Sequence, residues 1–253
     1  MKRIVLIDGD IELFRISQQC EIEVDWGDIV TMSTDIEHAK STLDMSVSGI
    51  VEKLGADDYI LCISGKNNFR KVHHPTYKSN RSGKKPMGYQ KLRDYAIENF
   101  KSKVVDALEA DDTMGILATK GAKDKEYVIY SIDKDMHTIP AKVWNQDDEK
   151  DEVIQAKTAD RNLYTQILTG DVVDGYKGCP KVGKVKAQRA LSTCSTSQEM
   201  LNETYKLFCK AYDTEEEAKA ELINQAQQAR ILRHSDWDKK EGTVKLWNPF
   251  EGA

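Results

Sequence analysis

The stretch IVLIDGD, residues 4–10, sets four apolar residues directly before Asp8, Gly9 and Asp10. Such a run is typical of a buried strand that ends at a turn. Further strands are predicted at YILCI (59–63), YVIYSI (127–132) and AKVW (141–144). After a polar loop around 26–28, helical spacing of apolar residues appears at 36–54, 88–100 and 110–120. Strands that alternate with helices predict an α/β fold with a central, mainly parallel sheet flanked by helices.

The second part of the chain has a different pattern, because helical spacing dominates from about residue 157 onward. We expect an α/β core at 1–156, which includes a basic arch or gateway segment at 66–100, and a mainly helical part at 157–253. A helix–hairpin–helix is predicted at about 171–192, and a short strand at GTVKLW (242–247). The two parts are expected to form one compact unit.

The composition favours a globular chain in a reducing compartment. Of the 253 residues, 40% are hydrophobic and 31% are charged. No apolar run approaches the ~20 residues that span a bilayer, and the first one is too short for a secretion signal. The five cysteines are scattered and never spaced Cys-x-x-Cys, which argues against a disulfide framework or a zinc site. We therefore expect a cytoplasmic protein without a membrane partner.

Carboxylates stand near the predicted strand ends in four clusters. The clusters are Asp8 with Asp10; Glu109, Asp111 and Asp112; Asp133 with Asp135; and Asp171 with Asp174. Any single cluster is explained by helix capping, but the carboxyl ends of parallel strands meet at one edge of a sheet. Converging carboxylates raise one another's pKa, and two Mg²⁺ or Mn²⁺ ions would relieve this repulsion and activate water against a phosphodiester.

The net charge of −5 conceals a strongly basic segment. Residues 66–93 contain nine Lys and Arg residues and no acidic residue. The predicted phosphate-binding residues are Arg70, Lys71, Lys78, Arg81, Lys84 and Lys85, and Phe69, His73 and Tyr77 are predicted to stack on bases. A solvated surface loop is the alternative interpretation, and the absence of acids over 28 residues favours a polyanionic partner.

The stretch GYKGCPKVGKVK, residues 175–186, has the glycines and lysines of a nucleic-acid-binding turn. Gly178 and Gly183 suit a helix–hairpin–helix, whose backbone N–H groups and following helix N-terminus bind phosphates without reading bases. Lys184, in the first turn of that helix, adds a positive charge. A tight turn between helices without a ligand is the alternative.

In this order, the motifs resemble the structure-specific 5′ nucleases: flap endonucleases, the 5′-nuclease domain of bacterial DNA polymerase I, and phage 5′→3′ exonucleases. The matching stretches are Asp-Gly after the first strand, FRKVHHPTYKSNR, EADD, SIDKD and GDVVDG. YKSNR, DKDMHTIP and the late ARILR and LWNP are similar to the gene-six-type exonuclease of short-tailed phages. The likeness covers nearly the whole chain.

The resemblance implies a PIN-like 5′-nuclease core that cleaves at 5′ ends with two Mg²⁺ ions. It implies that Asp8, Glu109, Asp111 and Asp133 hold the metal nearest the cut, that Asp112 and Asp135 support it, and that Asp171 and Asp174 complete the second metal site. Asp10 is expected to lie in the outer shell. Asp8 and Asp133 are catalytic in this scheme, and Lys78 and Arg81 polarise the scissile phosphate, while Arg70 touches the same phosphates.

The same resemblance implies the partners. We expect duplex DNA with 5′ ends, flaps or nicks, RNA primers in RNA–DNA hybrids, and K⁺ at the helix–hairpin–helix. We also expect a monomer that works beside replication proteins in the cytoplasm of an infected bacterial host, in phage DNA replication or host DNA breakdown.

Ser64 and Gly65 depart from the family pattern, because many relatives carry a further carboxylate there. The departure motivates one alternative, a non-catalytic DNA-end binder on a nuclease fold. A second alternative is a haloacid-dehalogenase-like phosphatase, because DGD and GDVVD in this chain resemble two motifs of that class. That class expects Thr or Val at the position of Glu12 and gives no role to EADD or to the basic segment.

Overall fold

The computed structural model describes residues 1–81 and 84–251. Its α-helices are α1 (Gly9–Gln19), α2 (Ile36–Lys53), α3 (Phe69–His73), α4 (Tyr89–Asn99), α5 (Ala110–Ala118), α6 (Ala156–Thr169), α7 (Lys184–Leu191), α8 (Ser197–Cys209) and α9 (Glu215–Ala229). Its strands are β1 (Lys2–Asp8), β2 (Glu21–Asp25), β3 (Val30–Thr34), β4 (Asp58–Ser64), β5 (Ser102–Val105), β6 (Lys125–Tyr130), β7 (Lys142–Asn145), β8 (Lys150–Val153), β9 (Trp237–Asp238) and β10 (Thr243–Val244). Short 3₁₀ turns occupy Lys134–Thr138 and His234–Asp236.

A six-stranded sheet in the order β5-β4-β1-β6-β7-β8 forms the centre of the molecule. The pairs β4–β5, β1–β4, β1–β6 and β6–β7 are parallel, and β8 adds an antiparallel edge. Val5, Leu6 and Ile7 of β1 are fully buried, since helices cover both faces of the sheet. The predicted α/β fold with a mainly parallel sheet is confirmed.

The two faces of the sheet have separate apolar layers. On one face, Val5 and Ile7 pack with Leu13 of α1 and Leu43 of α2. On the other face, Leu6 packs in a layer with residues of α5, β6 and α6. The alternation of neighbours along β1 follows from the period of two in a strand.

A third apolar core lies among α6, α7, α8 and α9. The helix α6 belongs to two cores, because Ala159 packs in the layer under the sheet and Leu163 packs with the C-terminal helices. The chain end closes over this core, with the Trp247 ring 6.3 Å from Tyr164 at an edge-to-face angle. The helical C-terminal part is thus present as expected, and α6 joins it to the sheet.

The structure contains strands that the sequence did not predict, among them β2, β3 and β8, and it shortens a predicted one. The segment around 26–28, expected to be a polar loop, is the turn of a β2–β3 hairpin, and the acidic stretch before residue 153 contains β8. In β2 charged residues alternate with apolar ones, and β8 has three charged residues in succession; each of these strands has one open side. The strand predicted at 242–247 is reduced to Thr243–Val244.

No helix in the described ranges is both long and apolar enough to cross a membrane.

Candidate active site

Neighbouring strand ends bring Asp8 and Asp133 together. Asp8 is the last residue of β1, and the chain leaves β6 through Ser131. The Ser131 hydroxyl donates to Asp8 Oδ2 at 2.7 Å and accepts from the Asp133 N–H at 3.1 Å. Asp133 in turn accepts from the Asp135 N–H at 2.8 Å. One serine therefore links the acidic residues of two adjacent strands.

The start of α5 brings the EADD stretch to the same edge. Ala110 N–H donates to the hydroxyl of Ser64, at the end of β4, at 3.0 Å. Among the described residues, none donates a hydrogen bond to the side chain of Asp111. The carboxylate of Asp8 is close enough to act on Asp111 electrostatically. Asp111 is thus an unpartnered carboxylate that faces other carboxylates.

Burial and mutual repulsion perturb this group of carboxyls. Burial raises the pKa of Asp8 to about 7, and Asp10 and Asp133 add to the shift. Burial, followed by the charges of Asp8 and Glu109, raises the pKa of Asp111 well above its usual value. The pKa of Asp135 is raised to about 6, first by burial and then by the charge of Asp133. Burial and mutual repulsion thus oppose the ionisation of these carboxyls at the edge of the sheet, and an added cation would favour it.

Glu109 is the exception in this group. Although burial opposes its ionisation, Lys78 and Arg70 lower its pKa to about 2. Lys78 Nζ lies 2.7 Å from Glu109 Oε1, and Arg70 lies 3.2 Å from Oε2. Lys78 itself has φ of 53°, a left-handed conformation that is uncommon for a residue with a side chain and that clusters at functional sites.

Four carboxylates, those of Glu109, Asp111, Asp135 and Asp174, line one cavity of about 20 Å³. This volume is enough for one water-sized ligand or ion. Carboxylate oxygens suit a hard divalent cation such as Mg²⁺ or Mn²⁺. Within the described ranges, no three His, Cys, Asp or Glu side chains already stand in a metal-binding arrangement, and the chemistry of the donor set, rather than a preformed cage, fits the metal.

Arg70 was expected to contact DNA phosphates and Asp112 to support a metal, and the structure contradicts both expectations. Arg70 is 2% exposed and Asp112 is 0% exposed. The two form a bidentate pair with both N–O distances at 2.7 Å. Asp112 also accepts from Leu232 N–H, and Arg70 donates to the carbonyls of Gln228 and Arg230. With every polar group satisfied internally, this pair joins α5 to the end of α9.

Tyr77 was expected to stack on bases, which its position rules out. The side chain is 3% exposed and packs in the core of the C-terminal helices. Its hydroxyl lies 3.0 Å from Glu109 Oε2 and 3.1 Å from Asp174 Oδ2. A phenol has one proton to donate, and Tyr77 thus connects two acidic clusters that are far apart in sequence.

The other predicted DNA-binding cations lie nearer the surface. Lys71 and Lys84 are exposed, and the Lys85 ammonium sits 3.9 Å from the centroid of the Tyr89 ring. Arg81 is half-exposed, and its guanidinium lies 2.5 Å from Asp174 Oδ1. Residues 82 and 83 of the predicted basic segment lie outside the described residues. Of these cations, Arg81 lies at the rim of the carboxylate cavity, beside Asp174.

The GDVVDG stretch forms a tight loop that carries the last acidic pair. Asp171 Oδ1 accepts from the N–H groups of Val173 and Asp174, at 2.8 and 3.2 Å. Lys134, next to Asp133, approaches Asp171 Oδ2 at 3.9 Å. The loop therefore faces the Asp133–Asp135 turn and completes the convergence of the predicted clusters.

A turn joins α6 to α7 where a DNA-binding turn is predicted, and the two glycines of that prediction differ. The Gly178 N–H donates to the buried Gln225 side chain at 2.7 Å, and a Cβ there would collide with the backbone of Gly170. The amide of Gly178 is therefore occupied and the prediction that it binds DNA is wrong. Gly183 precedes α7 without a side-chain cap, and Lys184 is exposed, so the N–H groups of this helix start face solvent.

The departure at Ser64 and Gly65 has a structural cause. A Cβ at position 65 would collide with the carbonyl of Val105, so no carboxylate fits there. At position 64, the hydroxyl holds the start of α5, as described above, and the Ser64 N–H donates to Asp10 at 3.2 Å. The hydroxyl thus fixes the helix that carries Asp111.

Comparisons with known proteins agree with this arrangement. Residues 3–166 match the family model of the 5′-3′ exonuclease N-terminal resolvase-like domain. The chain therefore belongs to the family of 5′-3′ exonucleases that share this domain, and it is a 5′→3′ exonuclease. This assignment excludes the phosphatase and favours an enzyme over a non-catalytic binder.

Two phage proteins are similar over nearly the whole chain. The exodeoxyribonuclease of Enterobacteria phage T3 is 29% identical, with 98% of this chain and 93% of that protein covered. The exonuclease of Escherichia phage T7 is 27% identical, with 98% and 94% covered. The chain is therefore similar in extent as well as in order to phage exonucleases.

Solved structures share the fold. A T5 5′-exonuclease with bound zinc ions has a TM-score of 0.61 at 14% identity, over 90% of this chain and 93% of that one. A bacteriophage T5 flap endonuclease in a complex with DNA and metal ions has a TM-score of 0.57 at 11% identity, over 89% and 99%. At these identities the likeness is one of architecture.

Proposed function

We propose that the protein is a metal-dependent 5′→3′ exonuclease and flap-type nuclease that hydrolyses phosphodiesters at the 5′ ends of duplex DNA. The observation that carries the proposal is the cavity lined by Glu109, Asp111, Asp135 and Asp174 beside Lys78. Two Mg²⁺ ions, with Mn²⁺ as a substitute, are the proposed cofactors, and they supply activation of water and stabilisation of the leaving oxygen. The solved phage nuclease structures that contain metal ions support this proposal.

The proposed ligands divide by position. Asp8, Asp111 and Asp133, with Glu109, would hold one ion, and Asp171 and Asp174, with Asp135, would hold the other. Asp8 lies close enough to Asp111 to raise its pKa, after burial, and an oxygen-binding cation held by both would oppose that shift. Asp112 is not part of the proposed ligand set, because its oxygens are committed to Arg70 and to backbone N–H groups.

Lys78 and Arg81 are the proposed phosphate-binding catalytic residues. Each now pairs with a proposed metal ligand, Lys78 with Glu109 and Arg81 with Asp174. A bound phosphodiester offers an equivalent anionic partner at the rim of the cavity, and charge-assisted hydrogen bonds to phosphate favour such an exchange. Lys71, Lys84 and Lys85 would add electrostatic attraction for the strand.

The duplex would lie along the groove that runs from the carboxylates to α7. This groove has a volume of about 730 Å³ and is lined by four basic residues, Lys134, His137, Arg161 and Lys184. It ends at the helix start after Gly183, where free backbone N–H groups favour a phosphate. The division into a nuclease core at 1–156 and a DNA-binding helix–hairpin–helix near 171–192 is part of the proposal, as is K⁺ at that turn.

The biological setting follows from the relatives. Phage exonucleases similar over nearly the whole chain support a role in phage DNA replication or host DNA breakdown, inside an infected bacterium. We include RNA primers in RNA–DNA hybrids among the proposed substrates, nicks and flaps among the proposed structures, and a monomer beside replication proteins as the proposed working state.

A duplex labelled at one 5′ end tests the proposal. Incubation with Mg²⁺ should release short labelled products, and both EDTA and the Asp133→Ala variant should abolish their release. Parallel substrates with a nick, a flap or a 5′ RNA segment, and buffers without K⁺, test the finer statements. Tight DNA binding without cleavage in Mg²⁺ or Mn²⁺ would contradict the proposal and leave a non-catalytic binder.

A further inference from the structure

The loop Asp171–Gly175 lacks the apolar anchoring that normally fixes a loop. Val172 is 86% exposed and Val173 is 63% exposed, so neither side chain packs into a core. Inside the loop, Asp171 accepts the two N–H bonds described above, which shape the turn but do not attach it to the rest of the protein. The base of the loop is joined by the Asp171–Tyr176 backbone pair beside the buried Tyr176, and its tip, Val172–Asp174, is held by contacts from another segment.

The start of the basic segment supplies those contacts. Asn80 Nδ2 donates to the Val172 carbonyl at 2.6 Å, and Lys78 N–H donates to the Asp174 carbonyl at 2.7 Å. Arg81 Nε approaches the Val173 carbonyl at 3.4 Å. Three consecutive carbonyls of the acidic loop thus accept from one short stretch, residues 78–81.

Close packing supports the same attachment. Gly175 has φ of 81°, and a Cβ at this position would press against the carbonyl of Thr76. The backbone at 76–78 and the loop are therefore in direct contact, and a glycine is required at their junction.

We infer that Asn80 is a positioning residue that fastens the Asp171–Gly175 loop to the basic segment and so places Asp171 and Asp174. The inference rests on the proposed function, in which those carboxylates hold a metal and the basic segment holds DNA. Asn80 is exposed, and its amide donor is committed to the loop.

This attachment couples two binding events. DNA that orders residues 78–81 also orders the loop, and a metal that orders the loop also orders the basic segment. Coupling of this kind is reciprocal, so each ligand raises affinity for the other by the same factor. A substrate strand would thus tighten the second metal site.

The test compares Asn80→Ala with Asn99→Ala, a matched control. Asn99 also donates its side-chain amide to a backbone carbonyl, that of Tyr95 at 2.9 Å, but it lies at the end of α4, away from the carboxylates. Asn80→Gln keeps the amide and serves as the conservative variant.

Hydrogen exchange without metal or DNA gives the direct readout. Asn80→Ala should speed exchange of the amides at 173–176 by about threefold to tenfold, the effect of one lost hydrogen bond, with partial rescue in Asn80→Gln and no change in Asn99→Ala. Unchanged exchange in Asn80→Ala would overturn the inference, and this outcome does not depend on catalysis.

Metal titration gives the functional readout. The Mn²⁺ concentration for half-maximal cleavage should rise by about threefold to tenfold in Asn80→Ala, while the rate at saturating Mn²⁺ and DNA affinity in EDTA stay near those of the wild type. Loss of DNA affinity with unchanged metal dependence would instead make Asn80 a DNA contact and overturn the inference. Absence of cleavage in the wild type would contradict the proposed function, whereas the exchange result would still decide the role of Asn80.

Discussion

Two neighbouring residues, Asp111 and Asp112, occupy opposite electrostatic environments at the start of α5. Asp112 is fully buried and paired with Arg70 through two bonds of 2.7 Å. Asp111 receives no hydrogen bond from the described residues and faces Asp8, and its pKa is raised well above the usual value by burial first and then by that charge. A buried carboxylate with a cation holds the fold together, and one without a cation is available for a ligand.

The surroundings of Asp112 and Asp111 differ in the same way as the two residues. Arg70 and Asp112 connect α3, α5 and the segment after α9, so they form a buried clamp. Asp8, Asp111 and Asp135, all with raised pKa values, form an acidic cleft that costs stability until a cation neutralises it. Variants in the clamp and in the cleft are therefore expected to have different effects.

The largest effect is expected from Asp111→Asn, which removes a charge from the cleft. Metal stabilisation of the transition state is worth several kcal/mol, so cleavage of a 5′-labelled duplex should fall by at least about 10³-fold. The exposed Asp147→Asn, in the turn after β7, is the control and should keep wild-type activity. Near-normal cleavage by Asp111→Asn would show that the cleft is not the catalytic centre.

Next comes Arg70→Met, which breaks the clamp and leaves Asp112 buried without a partner. Removing one member of a buried ion pair costs about 3–5 kcal/mol, so the melting temperature should fall by about 10 °C. Arg81→Met, which removes an exposed partner of Asp174, should cost less than about 1 kcal/mol. Equal losses in the two variants would contradict the distinction between clamp and rim.

A smaller effect is expected in the pH dependence of stability without metal. Asp135 has a folded pKa of about 6, raised from 3.8 first by burial and then by Asp133. The folded state then binds more protons than the unfolded state between about pH 4 and 6, so this group lowers stability as pH rises through that window. Asp135→Asn should therefore raise the free energy of unfolding at pH 7 by up to about 3 kcal/mol, because an amide does not ionise. Melting curves in EDTA from pH 4 to 8 measure it, and parallel curves for variant and wild type would count against the acidic cleft.

The smallest effect is expected from Tyr77→Phe, which removes only the hydroxyl between Glu109 and Asp174. Loss of one hydrogen bond to a charged group costs about 1.5–3 kcal/mol, partly offset because one proton serves two carboxylates. The Mn²⁺ concentration for half-maximal cleavage should change by about tenfold or less, and the fold should be retained. Tyr95→Phe is the matched control, since its hydroxyl lies 3.0 and 3.1 Å from the Asp44 oxygens on the surface. Equal metal dependence in both variants would remove Tyr77 from the site.

The main strands were predictable because β1, β4, β6 and β7 are apolar runs at the centre of a sheet. The β2–β3 hairpin and β8 were not, since none of these strands is a continuous apolar run and their partners are needed to identify them. The four acidic clusters were also predictable, because strand ends of a parallel sheet converge whatever the details of the connections.

The separate fates of the acidic residues were not predictable. The motif EADD gives no reason to distinguish Asp111 from Asp112. The difference arises from two distant partners of Asp112: Arg70, 42 residues away, and the backbone N–H of Leu232, 120 residues away. Gly178 was misassigned for the same reason, because Gln225 of α9 occupies its amide. Local sequence gives no signal for either contact.

One measurement tests the central claim most directly: the melting temperatures of wild type and Asp111→Asn, each in EDTA and in Mn²⁺. If the cleft is a metal site that destabilises the metal-free protein, Asp111→Asn has a higher melting temperature than the wild type in EDTA. Mn²⁺ then raises the melting temperature of the wild type by several degrees and that of the variant by much less. If Asp111→Asn melts lower in EDTA and gains as much from Mn²⁺ as the wild type, Asp111 is a structural residue and the metal, where it binds, is held elsewhere.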